Sequence, residues 1–152
     1  MQSNLGVIRS VGKERSSRTR HLVLMALLTA LAIVLHYVEA LIPVPLPYLL
    51  PGAKLGLANV VSLYVVLRSG LKSALTVSAL RTIIGSLMAG TFMSVGFILS
   101  FSGAMISTLA MGLLRKAFSD NVSAIGISII GAVFHNTGQL LAAAYIVRQP
   151  GV

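Results

Sequence analysis

Residues 22–38 read LVLMALLTALAIVLHYV, seventeen positions without Asp, Glu, Lys or Arg, entered from a tail carrying Arg9, Lys13, Arg15, Arg18 and Arg20. Extended from Leu22 to about Ile42, this run approaches the ~20 apolar residues that a helix needs to cross a bilayer. A cleaved signal peptide is the competing reading, since Val38-Glu39-Ala40 loosely fits a cleavage site. Its apolar region would span only about 7–15 residues. More apolar runs follow, so the stretch reads as a first transmembrane span.

Working outward, residues 1–20 are polar and basic with no apolar periodicity. They form a cytoplasmic tail expected to be mobile on anionic lipid, where each basic residue contributes about 1 kcal/mol. A plain topology signal with no specific partner is the simpler role. After the first span, Pro43, Pro45, Pro47 and Pro51 fix φ and remove backbone donors, which predicts a stiff extended loop. A second span is predicted from Ala53 to Leu67, short for a full crossing, ending at the basic turn Arg68-Ser69-Gly70-Leu71-Lys72. A third runs from Leu71 to Ala89 and breaks at Gly90-Thr91. The fourth runs from Phe92 to Leu114 and ends at Arg115-Lys116. Ser119-Asp120-Asn121 makes a turn, and the fifth span occupies Val122 to Val147. The expected fold is an all-α integral membrane protein: one bundle of five transmembrane helices in residues 21–152, behind a basic tail of residues 1–20.

Composition agrees with this reading. Of 152 residues, 56% are hydrophobic and 10% charged, against about 25% charged in soluble domains. The mean hydropathy is +0.92. Twelve Lys and Arg face three acids, Glu14, Glu39 and Asp120, giving a formal charge of +9. A nucleic-acid binder gathers such charge on an aqueous face. Here five of the twelve lie in the tail and the others punctuate apolar runs, so nucleic acid is not an expected partner. The tail and the Arg68/Lys72 and Arg115/Lys116 turns share one side, and only Lys54 marks the other; Arg148 is a mild violation. Positive-inside sorting then places the N-terminus in the cytoplasm and the end of the fifth span outside. Zero cysteines exclude disulfides and thiol chemistry.

Several residues stand out against this background. Arg81 falls near the centre of the third span, where an Arg costs about 2.5–3.5 kcal/mol to insert and must face protein or water. His135 lies at similar depth in the fifth span, with Asn136 adjacent and Gln139 one turn on. Together these read either as hydrogen-bond glue between helices or as a substrate or ion site. With no acid in the third or fifth span, an incoming ligand for Arg81 would be anionic or strongly electron-rich. Lys54 and Asn59 lie on the outer half of the second span, His36 and Glu39 at the end of the first. A Lys54–Glu39 ion pair anchoring the proline loop and a ligand contact are both open there. Ala26 and Ala30 put small side chains one turn apart, which suits either an internal contact or docking onto a partner. Gly103/Ser107 and Gly85/Ala89 read as internal pairs.

Absences narrow the chemistry. No G-x-x-x-x-G-K-[ST] occurs, so no P-loop hydrolyses ATP. Holding Mg²⁺ on a diphosphate takes clustered carboxylates, and this chain has one Asp. Three scattered histidines without cysteine make no metal site, and no cofactor is expected.

Three stretches carry a family resemblance: Leu50-Pro51-Gly52-Ala53-Lys54-Leu55-Gly56-Leu57-Ala58-Asn59, Arg81-Thr82-Ile83-Ile84-Gly85-Ser86-Leu87, and Gly131-Ala132-Val133-Phe134-His135-Asn136-Thr137-Gly138-Gln139-Leu140. In order and spacing they resemble the bacterial Gx transporter family, also labelled heptaprenyl diphosphate synthase component I, over about residues 22–148. That family is similar to the S components of energy-coupling-factor transporters. The resemblance implies a protein of the bacterial cytoplasmic membrane that binds a small nutrient. It implies docking through Ala26 and Ala30 onto a membrane coupling subunit energised by separate ATPases. The other label implies a noncatalytic membrane subunit of a heptaprenyl diphosphate synthase. S components have six helices, so a sixth span is either missing here or replaced by a partner.

Overall fold

A computed structural model describes residues 2–41, 57–118 and 122–148, with side chains of the first helix given from Arg15 to Val38. The proline loop, Tyr48, Lys54 and the Glu39 side chain lie outside the described residues. Four helices follow one another: α1 (Gln2–Leu41), α2 (Leu57–Met88), α3 (Val95–Phe118) and α4 (Ala124–Val147). Each contains a segment long and apolar enough to cross a membrane. The described residues therefore form an all-α bundle of membrane-crossing helices, four of them rather than the expected five.

The difference lies in α2, which holds the second and third predicted spans. Gly70 alone leaves helical geometry, at φ 82° and ψ 175°, a left-handed φ that glycine adopts without a Cβ penalty. In a straight helix Ser62 and Ser78 would stand about 24 Å apart at ~1.5 Å per residue. Their hydroxyls are instead 2.9 Å apart. The helix therefore doubles back at Gly70, with arms 57–69 and 71–88 packed antiparallel. The basic turn is so tight that only one residue breaks the helical pattern.

The backbone of the N-terminal tail is helical from Gln2 and continuous with α1. No proline lies before Pro43, and Arg, Lys, Gln and Glu are good helix formers that carry the helix across Gly6 and Gly12.

The other boundaries follow local chemistry. Gly90, at φ 67°, closes α2 with paired bonds from Thr91 N to the Ser86 carbonyl (2.9 Å) and from Gly90 N to the Leu87 carbonyl (3.2 Å). That pair is the Schellman arrangement, which satisfies the last carbonyls of a helix. Ser94 then accepts from Phe97 N, and Ser123 accepts from Gly126 N at the start of α4, each an N-cap. α3 accordingly begins three residues later than predicted from Phe92.

Packing is inverted relative to a soluble protein. Leu22, Leu27, Leu113, Ile125 and Leu140 point outward. The interior holds Ala32, Ala74, Val61, Val65, Val77, Met111 and Ile127, together with fully buried Ser62, Ser78, Ser107 and Thr108. Small and hydroxyl side chains let helices approach closely and bond across the contact when the solvent is lipid. α3 lies between α2 and α4, and α1 packs on α2. Leu71 sits against Gly112, so the Arg68/Lys72 turn and the Arg115/Lys116 end of α3 occupy one end of the bundle.

Candidate functional site

A polar track climbs the inside of the bundle from that basic end. Ser78, on the second arm of α2, hydrogen-bonds Ser62 on the first arm at 2.9 Å and Thr108 on α3 at 2.8 Å. One turn along from both serines, Arg81 Nη2 donates to Asn59 Oδ1 at 2.9 Å. Arg81 is only 6% exposed, and its Nε is buried as well. One turn further, the His36 imidazole of α1 packs beside Gly85, its Cδ2 3.9 Å from where a Cβ would stand. Arg81 is eleven residues past Gly70, about 16 Å along its arm at ~1.5 Å per residue, near the middle of the helix. At this depth the guanidinium meets a carboxamide dipole, Asn59, through Nη2.

A second group forms where α4 meets α3. A Cβ at Gly103 would stand 2.9 Å from Gln139 Cγ, 2.9 Å from the His135 carbonyl oxygen and 3.1 Å from His135 Cε1. A Cβ at Gly138 would stand 3.0 Å from the Gly103 Cα. The expected shared face of His135 and Gln139 is thus the face that α4 turns to α3, and His135 Nδ1 is buried there. Ser107 adds a 2.7 Å bond to the Gly131 carbonyl, and Gly103 and Ser107 are internal as read from the sequence. Of the other pair, Gly85 is buried and Ala89 is exposed.

The remaining candidates go elsewhere. Asn136 is turned to the outer surface of α4, away from the His135/Gln139 face. Lys54 lies outside the described residues. Ala26 and Ala30 are exposed and line a groove of about 510 Å³ between α1 and the second arm of α2, with Thr29, Ser73, Thr76 and Leu80. The inward face of α1 is carried by Thr29 and Ala32 instead.

Sequence reading missed the Ser62–Ser78–Thr108 relay and the inward position of His36. Serine and threonine at helical spacing are common in membrane helices, and only the fold of α2 at Gly70 brings those hydroxyls together.

The family model described as heptaprenyl diphosphate synthase component I matches residues 28–152. Comparison with curated proteins and with solved structures gives no match.

Proposed function

The chain belongs to the heptaprenyl diphosphate synthase component I family, and from that premise we propose that it is a noncatalytic membrane component working with a separate prenyl diphosphate synthase. The observation that carries this reading is the extent of the match, which takes in α2, α3, α4 and α1 from Leu28 onward. Catalysis belongs to another polypeptide, because the three acids of this chain, Glu14, Glu39 and Asp120, are too scattered to cage Mg²⁺ on a diphosphate. A heptaprenyl diphosphate has a long hydrocarbon chain, and each buried methylene favours the bilayer by about 0.8 kcal/mol. A membrane partner would hold the synthase where its product partitions, and Arg81 with Asn59 would offer a cationic seat for a diphosphate. Lys54, His135 and Gln139 belong to the same proposed ligand-contacting set.

The test is reconstitution. The tagged chain in liposomes should retain the soluble synthase and speed product release from it. Unchanged turnover together with no retention of the synthase would overturn the reading.

A second reading has its own support: a substrate-binding protein for uptake of a small anionic nutrient, energised by separate ATPase subunits through a membrane coupling subunit. The exposed Ala26/Ala30 edge of the groove favours it, since those alanines are left uncovered by the bundle. In this reading Ala30→Trp abolishes co-purification of a coupling subunit and uptake while the bundle folds normally. Loss of folded protein would return the alanines to internal packing. Both readings place the chain in the bacterial cytoplasmic membrane with its N-terminus inside.

A further inference from the structure

Asn136 stands at the midpoint of α4, twelve residues after Ala124 and eleven before Val147. Its side chain faces out of the bundle. In a membrane-spanning α4 that position is the hydrocarbon centre, where neither water nor acyl chains can take a hydrogen bond. The neighbouring Thr137, also outward, returns its hydroxyl to the Val133 carbonyl of its own helix at 2.9 Å. Among the described residues none hydrogen-bonds the Asn136 carboxamide.

The amide does not sit on random surface. Ile125, Ile129, Ala132, Leu140 and Val147 lie above and below it in helical register, all outward. Ile125 is 73%, Ile129 58% and Leu140 68% exposed. The opposite face of α4 is already filled by α3 through Gly131 and Gly138. What remains is a largely apolar seam without Asp, Glu, Lys or Arg, in which Asn136 is the one polar residue of this register, with Ser128 and Thr137 on its flanks.

We propose that this seam is a homodimer interface, in which α4 packs on α4 of a second copy and the two Asn136 carboxamides hydrogen-bond each other. A carboxamide carries both donors and an acceptor, so it is its own complement. A two-fold axis along the membrane normal keeps both copies at equal depth and brings like residues together, as an isologous contact requires. A second copy therefore supplies a polar partner at the right depth, whereas a further span or another protein would need its own polar group at that level. One buried Asn in an otherwise apolar helix seam also fixes register, as it does in coiled coils. The inference is independent of whether the chain serves a synthase or a transporter.

The absence of cysteine makes the test direct. Ala132→Cys, on the seam, should form a disulfide-linked dimer on mild oxidation in native membranes, and Leu109→Cys, outward on α3, should not. Adding Asn136→Leu to Ala132→Cys should raise the dimer dissociation constant about tenfold, the order expected for one interhelical hydrogen-bonded contact. Asn136→Gln should preserve the dimer. Energy transfer between copies labelled at Thr91→Cys, followed as lipid dilutes the protein, reads self-association without altering α4. Absence of transfer at every dilution would overturn the proposal. So would undiminished cross-linking in Asn136→Leu, equal cross-linking at Leu109→Cys, or an adduct from Ala132→Cys whose mass is that of a different protein.

Discussion

Ser62 and Ser78 share a 2.9 Å hydrogen bond across the two arms of one helix, because Gly70 folds the second arm back on the first. Ser78 also reaches Thr108 at 2.8 Å, so one hydroxyl ties three helical segments together in an interior with little other polar contact.

Ser78→Ala removes the middle of this relay and leaves the hydroxyls of Ser62 and Thr108 buried. They can turn to carbonyls of their own helices, as Thr82 does toward Ser78 at 2.8 Å, so the loss is moderate. It should be about 0.6–2 kcal/mol, the range for interhelical bonds in membranes. Ser62→Ala ends the relay one bond earlier and should cost less. Thermal unfolding in detergent measures both, and an equal or reversed order would remove the relay from the stability argument.

Gly103 and Gly131 both lie on the α3–α4 seam, yet alanine should be tolerated at only one of them. At Gly103 the added methyl meets the His135 backbone oxygen at 2.9 Å, and relief requires moving a helix. At Gly131 it meets Met111 Sδ at 2.6 Å, and a thioether on three rotatable bonds can swing aside. Gly103→Ala should destabilise by about 1–3 kcal/mol, the usual cost of overpacking. Gly131→Ala should cost distinctly less. Unfolding midpoints of the two variants, compared in one detergent, decide the point.

Much of the architecture is legible from apolar run lengths and basic turns alone. Helix ends at Gly90, Ser94 and Ser123 fall where turn chemistry places them, within a few residues. The count of helices differs only at the Arg68–Lys72 basic turn, where two spans are expected and a single positive-φ glycine reverses the chain inside one helix. The polar site was half legible. Arg81 declares itself by charge in a span that carries no acid. Its partner Asn59 lies twenty-two residues away and is chosen by the hairpin, not by local spacing. Asn136 was placed with His135 because the two are adjacent in sequence. Adjacent helical residues point about 100° apart on a helix of 3.6 residues per turn, so one enters the seam with α3 and the other leaves the bundle.

The hairpin in α2 brings the Arg68/Lys72 turn to the same end as Arg115 and Lys116, which the positive-inside rule assigns to the cytoplasm. Ser69→Cys and Ser119→Cys should therefore react with an impermeant maleimide only after the membrane is breached. Thr91→Cys and Tyr48→Cys should react in intact cells. Labelling of Ser69→Cys from outside would invert the topology. Protection of Thr91→Cys, with Ser69→Cys also protected, would mean that the second arm of α2 does not cross.

The pair of Arg81 and Asn59 separates structural glue from a ligand seat. Arg81 is permanently charged and 6% exposed, and Asn59 Oδ1 accepts from its Nη2 at 2.9 Å. Asn59→Leu withdraws an acceptor from a buried charge and should cost about 1.5–3 kcal/mol, as hydrogen bonds to charged groups do. Arg81→Gln removes the charge itself, and stability should hold or rise, since replacing a desolvated ion with a smaller polar group relieves its burial cost. With both substitutions present, most of the Asn59→Leu penalty should vanish, and chemical unfolding of the four proteins gives this coupling directly. Binding is read separately with a fluorescent prenyl diphosphate in liposomes. If Arg81 seats the anionic group, Arg81→Gln should weaken that binding by about 2–5 kcal/mol, the cost of truncating one side of a buried charge pair. Asn59→Leu should weaken it by less, because the guanidinium remains. An Arg81→Gln protein that unfolds readily but binds the probe normally would make the pair a helix clamp and move the ligand seat elsewhere in the bundle.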